Sequence, residues 1–493
     1  MFKRIFFLIT ITAGMLAPFS SCKKILDVNT DPNNSTQASI DLVLPSALGY
    51  TAYNMANRYQ ILGGLWGQYW TQGPTASQYR TIDQYAIVST DFNTPWNSLY
   101  SGPLQDMKYI IDEATAAGRN NYAAIGKFMQ AYIYQYLTDL HGDIPFSQAL
   151  DASNATPGFD TQEQVYDGLI KLVDDGLALL SESSSDHPGN DDLYYQGDMS
   201  AWHKFANTLK LRIYLRQAYV RPSVAQAGIQ AMYTAGAQFL GTGDDADMQF
   251  TTTTFNQHPL YMTFQALTSA NLIASNTALE YMENSNDPRI DVLYQRATAA
   301  PNSGNHAGID QGNGPNLPGT QNDRSYSKPG PAVGGPDGGA AAPVILMSAA
   351  ESYFLQAEAV LRGWGSGNAQ TLYENGIKAS FAYWQLSNAQ ATTFLGQPSV
   401  NYPAAGSTEE KLKAIISQKW ISMDGTQNLE GWTEWRRTGY PDIFEVSATS
   451  NIGNKFPVRI LYPDIEVTRN PNTPPQKTVT DKLWWDVNTT GQN

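Results

Sequence analysis

A single cysteine, Cys22, stands in a chain of 493 residues, and the chemistry open to it is set by what precedes it. Lys3 and Arg4 lead into an apolar run from Ile5 to Ala17, followed by the small polar residues Ser20 and Ser21. That is the layout of a secretory signal peptide, and the run is shorter than the ~20 apolar residues that span a bilayer. Phe19-Ser20-Ser21-Cys22 approximates the sequence at which a bacterial lipoprotein is cleaved and its cysteine acylated, with Phe19 in place of the usual aliphatic residue. The expectation is removal of residues 1–21, acylation of Cys22 and a lipidated tether over 22–39. Without a second cysteine no intrachain disulfide can form, so stability must come from a packed core.

Other reactive side chains form no recognised catalytic pattern. His141, His187, His203, His258 and His306 are scattered and none sits in a metal-ligand spacing. There is no nucleophile elbow, phosphate-binding glycine loop or dinucleotide fingerprint. Asp244-Asp245-Ala246-Asp247 lacks the spacing and turn glycine of a calcium loop and reads as an exposed acidic turn. Carboxylates are numerous enough that a glycosidase pair stays open on sequence alone. The expectation is a protein that binds and does not catalyse, with no metal and no cofactor.

Aromatic side chains carry more information. Trp66, Tyr69, Trp70, Tyr79, Tyr85 and Trp96 crowd one N-terminal region, interleaved with Gln68, Gln72, Gln78, Arg80 and Asn97. Flat rings beside amides and a guanidinium can form a sugar platform, because ring faces pack against pyranose C–H faces while polar tips reach hydroxyls. Trp66 and Tyr69 fall at helical spacing, which favours a place in the core. Tyr79 and Arg80 follow Gly73-Pro74 in a polar stretch and are expected at the surface. A second cluster, Trp432, Trp435, Arg436 and Arg437, reads as structure, with Arg stacked on Trp and paired to Glu434 or Glu430.

Composition narrows the partners. The formal charge is −14, which argues against nucleic acid and anionic lipid headgroups. Charged residues make up only 15% of the chain and aromatic residues 12%, with 28 Tyr and 11 Trp, so the surface suits neutral hydroxylated ligands.

The elements that must position these groups are mostly helices. Apolar residues recur at helical spacing over Leu44 to Thr71, Asn97 to Ala116, Tyr122 to Leu140, Gln162 to Leu180 and Ser200 to Tyr219. Thr161 with Gln164 forms a capping-box pattern before the fourth. Later, Met347, Ala350, Phe354, Ala357 and Leu361 make a seam with Glu351 and Glu358 off it, and Leu412, Ile416, Trp420 and Met423 repeat the pattern. Paired amphipathic helices with short turns predict a mainly α fold of degenerate tetratricopeptide-like hairpins. Residues 40–493 are expected as one domain, interrupted at about 299–343 by an excursion dense in Gly, Pro, Asn and Asp, which is either functional or disordered.

Taken in order, several stretches resemble the SusD/RagB family of outer-membrane nutrient-binding lipoproteins, in particular its SusD-like branch. They are Leu26 to Asn33, Thr138 to Pro145, Trp202 to Arg212, Ala349 to Glu358, Trp432 to Pro441, Pro457 to Pro463 and Leu483 to Val487. The resemblance implies a helical α-α superhelix of four tetratricopeptide-like units with a loop-rich, ligand-binding second face. It implies a cell-surface lipoprotein on the outer membrane that captures oligosaccharide and delivers it to a SusC-like TonB-dependent transporter. Peptide capture, as in RagB-like proteins, and a lipid-anchored glycoside hydrolase are the alternatives. Lys23 and Lys24 depart from the acidic residues common behind surface-exported lipid cysteines. These stretches are architectural, so the ligand site transfers by region only: Trp70, Tyr79, Arg80 and Trp96 from the N-terminal region, Arg324 and Tyr326 from the long excursion.

Overall fold

The computed structural model describes residues 38–487 apart from 183, 268–270 and 320. The expected signal peptide, Cys22 and the expected tether up to residue 37 lie outside the described residues.

The chain enters through helix α1 (Ile40–Asn54), which passes through a π-type turn at Met55–Tyr59 into α2 (Gln60–Trp66). Apolar spacing predicts helix as far as Thr71, but it stops five residues earlier. Gly67 bonds back to the Gly63 carbonyl at 2.7 Å and Gln68 adopts a left-handed backbone (φ 57°), so the chain turns. Trp70–Gln72 then forms a short strand antiparallel to Leu272–Ala274. Tertiary pairing overrides helical periodicity here.

Helices α3 (Gln105–Ala117), α4 (Asn120–His141), α5 (Gln162–Leu179), α6 (Met199–Arg216) and α7 (Pro222–Thr234) follow, each packed on the next. The segment expected as one helix from Asn97 to Ala116 is divided at Tyr100–Leu104, where Pro103 removes a donor and widens the turn. The Thr161–Gln164 capping box forms in both directions, at 3.3 and 2.9 Å. Such caps stabilise a helix by about 1 kcal/mol.

A second helical group comprises α8 (Asn276–Asn284), α9 (Ala349–Leu361), α10 (Ala369–Tyr383), α11 (Thr408–Ser422) and α12 (Asn428–Thr438). The α9–α10 pair is a close hairpin, α9 also packs on α6 and α11, and α12 returns to α2. At that last crossing a Cβ on Gly63 would lie 2.2 Å from the Leu429 nitrogen, so glycine is what lets the two backbones approach. The fold is mainly α with tetratricopeptide-like hairpins, as the periodicity predicts. Met347 departs from the expected seam and ends the strand Val344–Met347, paired with Ala246–Met248.

Between the helical layers lies an ionic network. Glu351 and Glu358 sit off the apolar seam of α9, but both are buried. Glu358 accepts from Arg437 at 2.7 and 2.6 Å and from Arg362 at 2.8 Å. Arg216 binds Glu430 at 2.6 Å, Asp139 at 3.2 Å and also Glu434. Each charge has a counter-charge because an unpaired ion at this depth would cost several kcal/mol. Arg436 stacks over Trp432 at 3.7 Å and Arg437 pairs with Glu434 at 2.6 Å, as read from the sequence.

The Gly/Pro-rich excursion is threaded through short three-residue helices and isolated bridges, not left as an open loop. Its first half adds to the Leu272–Ala274 strand: Ala274 N donates to Ser327 O at 2.8 Å, and Ser327 N to Ala307 O at 2.8 Å. Its second half packs under Pro259–Ala266, with His258 N donating to Ala340 O at 2.8 Å and Gln265 to Pro336 O at 3.0 Å.

Candidate functional site

The two regions singled out from sequence do meet. Thr75 N and Oγ1 donate to Asp323 at 3.3 and 2.5 Å, joining the loop after Gly73 to the excursion. The aromatic rings expected there, however, point inward. Trp70 is fully buried, its ring filling the space where Gly64 would carry a Cβ. Trp96 is 2% exposed, edge-on to His141 at 4.7 Å, with its indole donating to Glu466 at 3.1 Å. Tyr79, expected at the surface, is 3% exposed, because its backbone is drawn in by Gln72 Oε1 at 2.7 Å. Tyr326 is covered by Ile273 and Ile309, and its hydroxyl bonds Gln321. Trp66, Tyr69 and Tyr85 are core as well. None of these rings offers a face to a ligand, so the expected platform is corrected to core packing. Arg80 is half-buried, donating to Ala76 O at 3.0 Å, and Arg324 is exposed with a weak 3.4 Å contact to Thr298.

The acidic turn is likewise tied in. Asp244 pairs with Lys204 at 3.0 Å, and Asp245 caps α9 by accepting from Ala349 N at 2.8 Å. Burial pushes the Asp245 carboxyl up to about 6. Asp247 accepts from the Tyr383 hydroxyl at 3.2 Å, and burial raises its pKa too.

Asp247 opens onto a cleft of ≈ 580 Å³ that the sequence reading missed. One wall is the end of α10, where Tyr383 and Trp384 meet edge to face with centroids 4.9 Å apart. The opposite wall is the excursion, including Pro331, Ala332 and Pro343. Gln249 and Gln385 supply amides at the rim. Gln385 holds a left-handed backbone (φ 58°), at a helix end where glycine is usual, which turns its side chain into the cleft.

Beyond Gln249 a tight turn is closed by Thr251 N donating to Asn256 O at 2.8 Å. At its tip Phe255 is 93% exposed and also left-handed (φ 69°). Held in that conformation, its ring stands in solvent at the edge of the fold. A signal for the cleft was present in Tyr383-Trp384-Gln385, an aromatic pair followed by an amide, but at a helix end it looks like ordinary core.

Chemically, the cleft offers ring faces, amides and one carboxylate with no nucleophile beside it. A smaller pocket of ≈ 240 Å³ brings Glu280, Asp310 and Glu445 near Tyr281, with Asn276 donating to Asp310 at 2.6 Å. Among the described residues no group of three His, Cys, Asp or Glu is placed to hold a metal ion, and no helix is long and apolar enough to cross a membrane.

Comparison with known proteins gives a consistent result. A SusD-like family model, described as starch-binding and associating with the outer membrane, matches residues 32–463. A chitin-binding SusD homologue from Flavobacterium johnsoniae has TM-score 0.75 at 25% identity, covering 90% of this chain and 99% of that one. Another solved structure, a chitin-binding protein, has TM-score 0.76 at 25% identity, covering 91% and 99%. A SusD homologue from Bacteroides uniformis shares the fold with TM-score 0.78 at 23% identity, covering 90% and 99%. No curated protein matches the chain.

Proposed function

The chain belongs to the SusD-like family, and from that premise we propose that it captures oligosaccharide at the cell surface and passes it unaltered to a SusC-like TonB-dependent transporter. The observation that carries this reading is the Tyr383–Trp384 pair, half-buried along one wall of a cleft whose other wall is proline and small residues. Trp384 would take the C–H face of a pyranose, while Gln249, Gln385 and Asp247 reach its hydroxyls. Phe255, at the tip of the adjoining turn, is a further ring for the same chain of sugars. Arg80 and Arg324 serve as outlying contacts on the loop-rich face.

A neutral hexose polymer fits best. The acidic chain repels polyanions, and two of its relatives at 25% identity are described as chitin-binding. Acylated Cys22 and its tether hold the single domain of residues 40–493 on the outer membrane, beside the transporter it serves.

Affinity electrophoresis of the purified mature chain through gels containing glycol chitin or starch tests the reading. Retarded migration with no release of reducing ends is expected. Unretarded migration on every glycan would overturn it, and reducing-end release would establish a hydrolase instead.

A further inference from the structure

A second cleft, of ≈ 440 Å³, lies where α1 runs into its π-type turn and faces the Ser89–Phe92 turn and the helix that follows it. Tyr53, Asn57, Arg58, Thr90, Asp91 and Thr94 are among its lining residues. Tyr53 is 40% exposed and stacks on Tyr50, itself 38% exposed, with centroids 6.1 Å apart and planes within 21°. Exposed stacked tyrosines beside a polar cleft are a ready surface for an apolar ring face.

The polar side of the cleft is unfinished. Arg58 Nη2 and Asp91 Oδ1 stand 4.0 Å apart, beyond hydrogen-bond reach, and both side chains are about a quarter exposed. Asp91 is held from behind, its Oδ2 accepting from Val88 N at 2.8 Å, so Oδ1 is the oxygen left facing the arginine. A hydroxyl oxygen placed about 2.8 Å from each group would accept from Arg58 and donate to Asp91. A sugar hydroxyl does both at once, whereas an anion would meet Asp91 as a like charge. The widened turn, a feature frequent at functional sites, is what sets Asn57 and Arg58 on this face.

We propose that this cleft is a second, separate binding site for a neutral hexose unit, with Tyr53 under the ring and Arg58 and Asp91 sharing one hydroxyl. It rests on the reading that the chain binds glycan, but on different residues from the Trp384 cleft. Two sites on one body would let a single polymer be held at two points, which raises retention without any new contact.

The test is isothermal titration of the full mature chain with chitotriose and maltotriose, which count sites. Two trisaccharides per chain are expected for the wild type and one each for Tyr53→Ala, Asp91→Asn and Trp384→Ala. Asp91→Asn keeps an oxygen for Val88, so a loss there with an unchanged melting temperature reports binding and not folding. One trisaccharide per chain, lost in Trp384→Ala and unaffected by Tyr53→Ala, overturns this inference and leaves the glycan reading standing. No binding by the wild type overturns both.

Discussion

Arg437 on α12 donates both terminal nitrogens to Glu358 on α9, at 2.7 and 2.6 Å, with both side chains buried. This fork fixes one helix hairpin against the next at a point where no water can substitute. Glu358→Ala leaves the buried Arg437 with Glu434 alone and takes the counter-charge from Arg362, so it should destabilise the fold by about 3 kcal/mol. Urea unfolding of the two proteins checks this. Asp112→Ala breaks the exposed Lys108–Asp112 contact at 2.6 Å and should leave the midpoint where it is.

Stability should fall as pH rises through neutrality. Burial pushes the Asp424 carboxyl up to about 7, although the Tyr294 hydroxyl at 2.7 Å holds it down in part. A folded pKa above the unfolded 3.8 means the fold prefers the neutral acid. Its contribution is complete below about pH 4 and is lost as pH climbs through the folded value. Asp83 and Asp245, each at about 6 through burial, act in the same direction. The melting temperature should therefore be lower at about pH 8 than at about pH 5, and Asp424→Asn should flatten that slope. An unchanged slope in the variant would contradict the assignment.

Cys22→Ser should abolish metabolic labelling with a fatty-acid probe and release the protein from membranes. The purified variant should still fold and bind ligand, since Cys22 lies ahead of the described domain. Continued membrane association of the variant would refute lipid anchoring at this residue.

Helix existence was legible because long segments carry a sustained 3.6-residue period, as in α4, α5 and α6. The Thr161–Gln164 cap and the Arg436–Trp432 stack were legible because each is settled by neighbours in sequence. What long-range contacts decide was not. The helix ends at Trp66 because a strand from residues 272–274 claims Trp70–Gln72, and no local pattern encodes that partner. The same pairing buries Trp70, while contacts with Glu466 and Gln72 draw in Trp96 and Tyr79, and together they empty the expected platform. Glu351 and Glu358 look like solvent-facing positions until Arg212, Lys419 and Arg437 arrive from distant helices. The Trp384 cleft exists only because residues 331–343 fold back beside α10.

The most direct test is titration of the purified mature chain with chitohexaose and maltohexaose, wild type against Trp384→Ala. Stacking on one aromatic face is worth about 0.5–1.5 kcal/mol beyond the area it buries, so the account predicts hexaose binding by the wild type and a loss of about two- to twelvefold at this cleft in the variant. Failure of the wild type to bind either hexaose, or a Trp384→Ala titration that superimposes on the wild type, would contradict it.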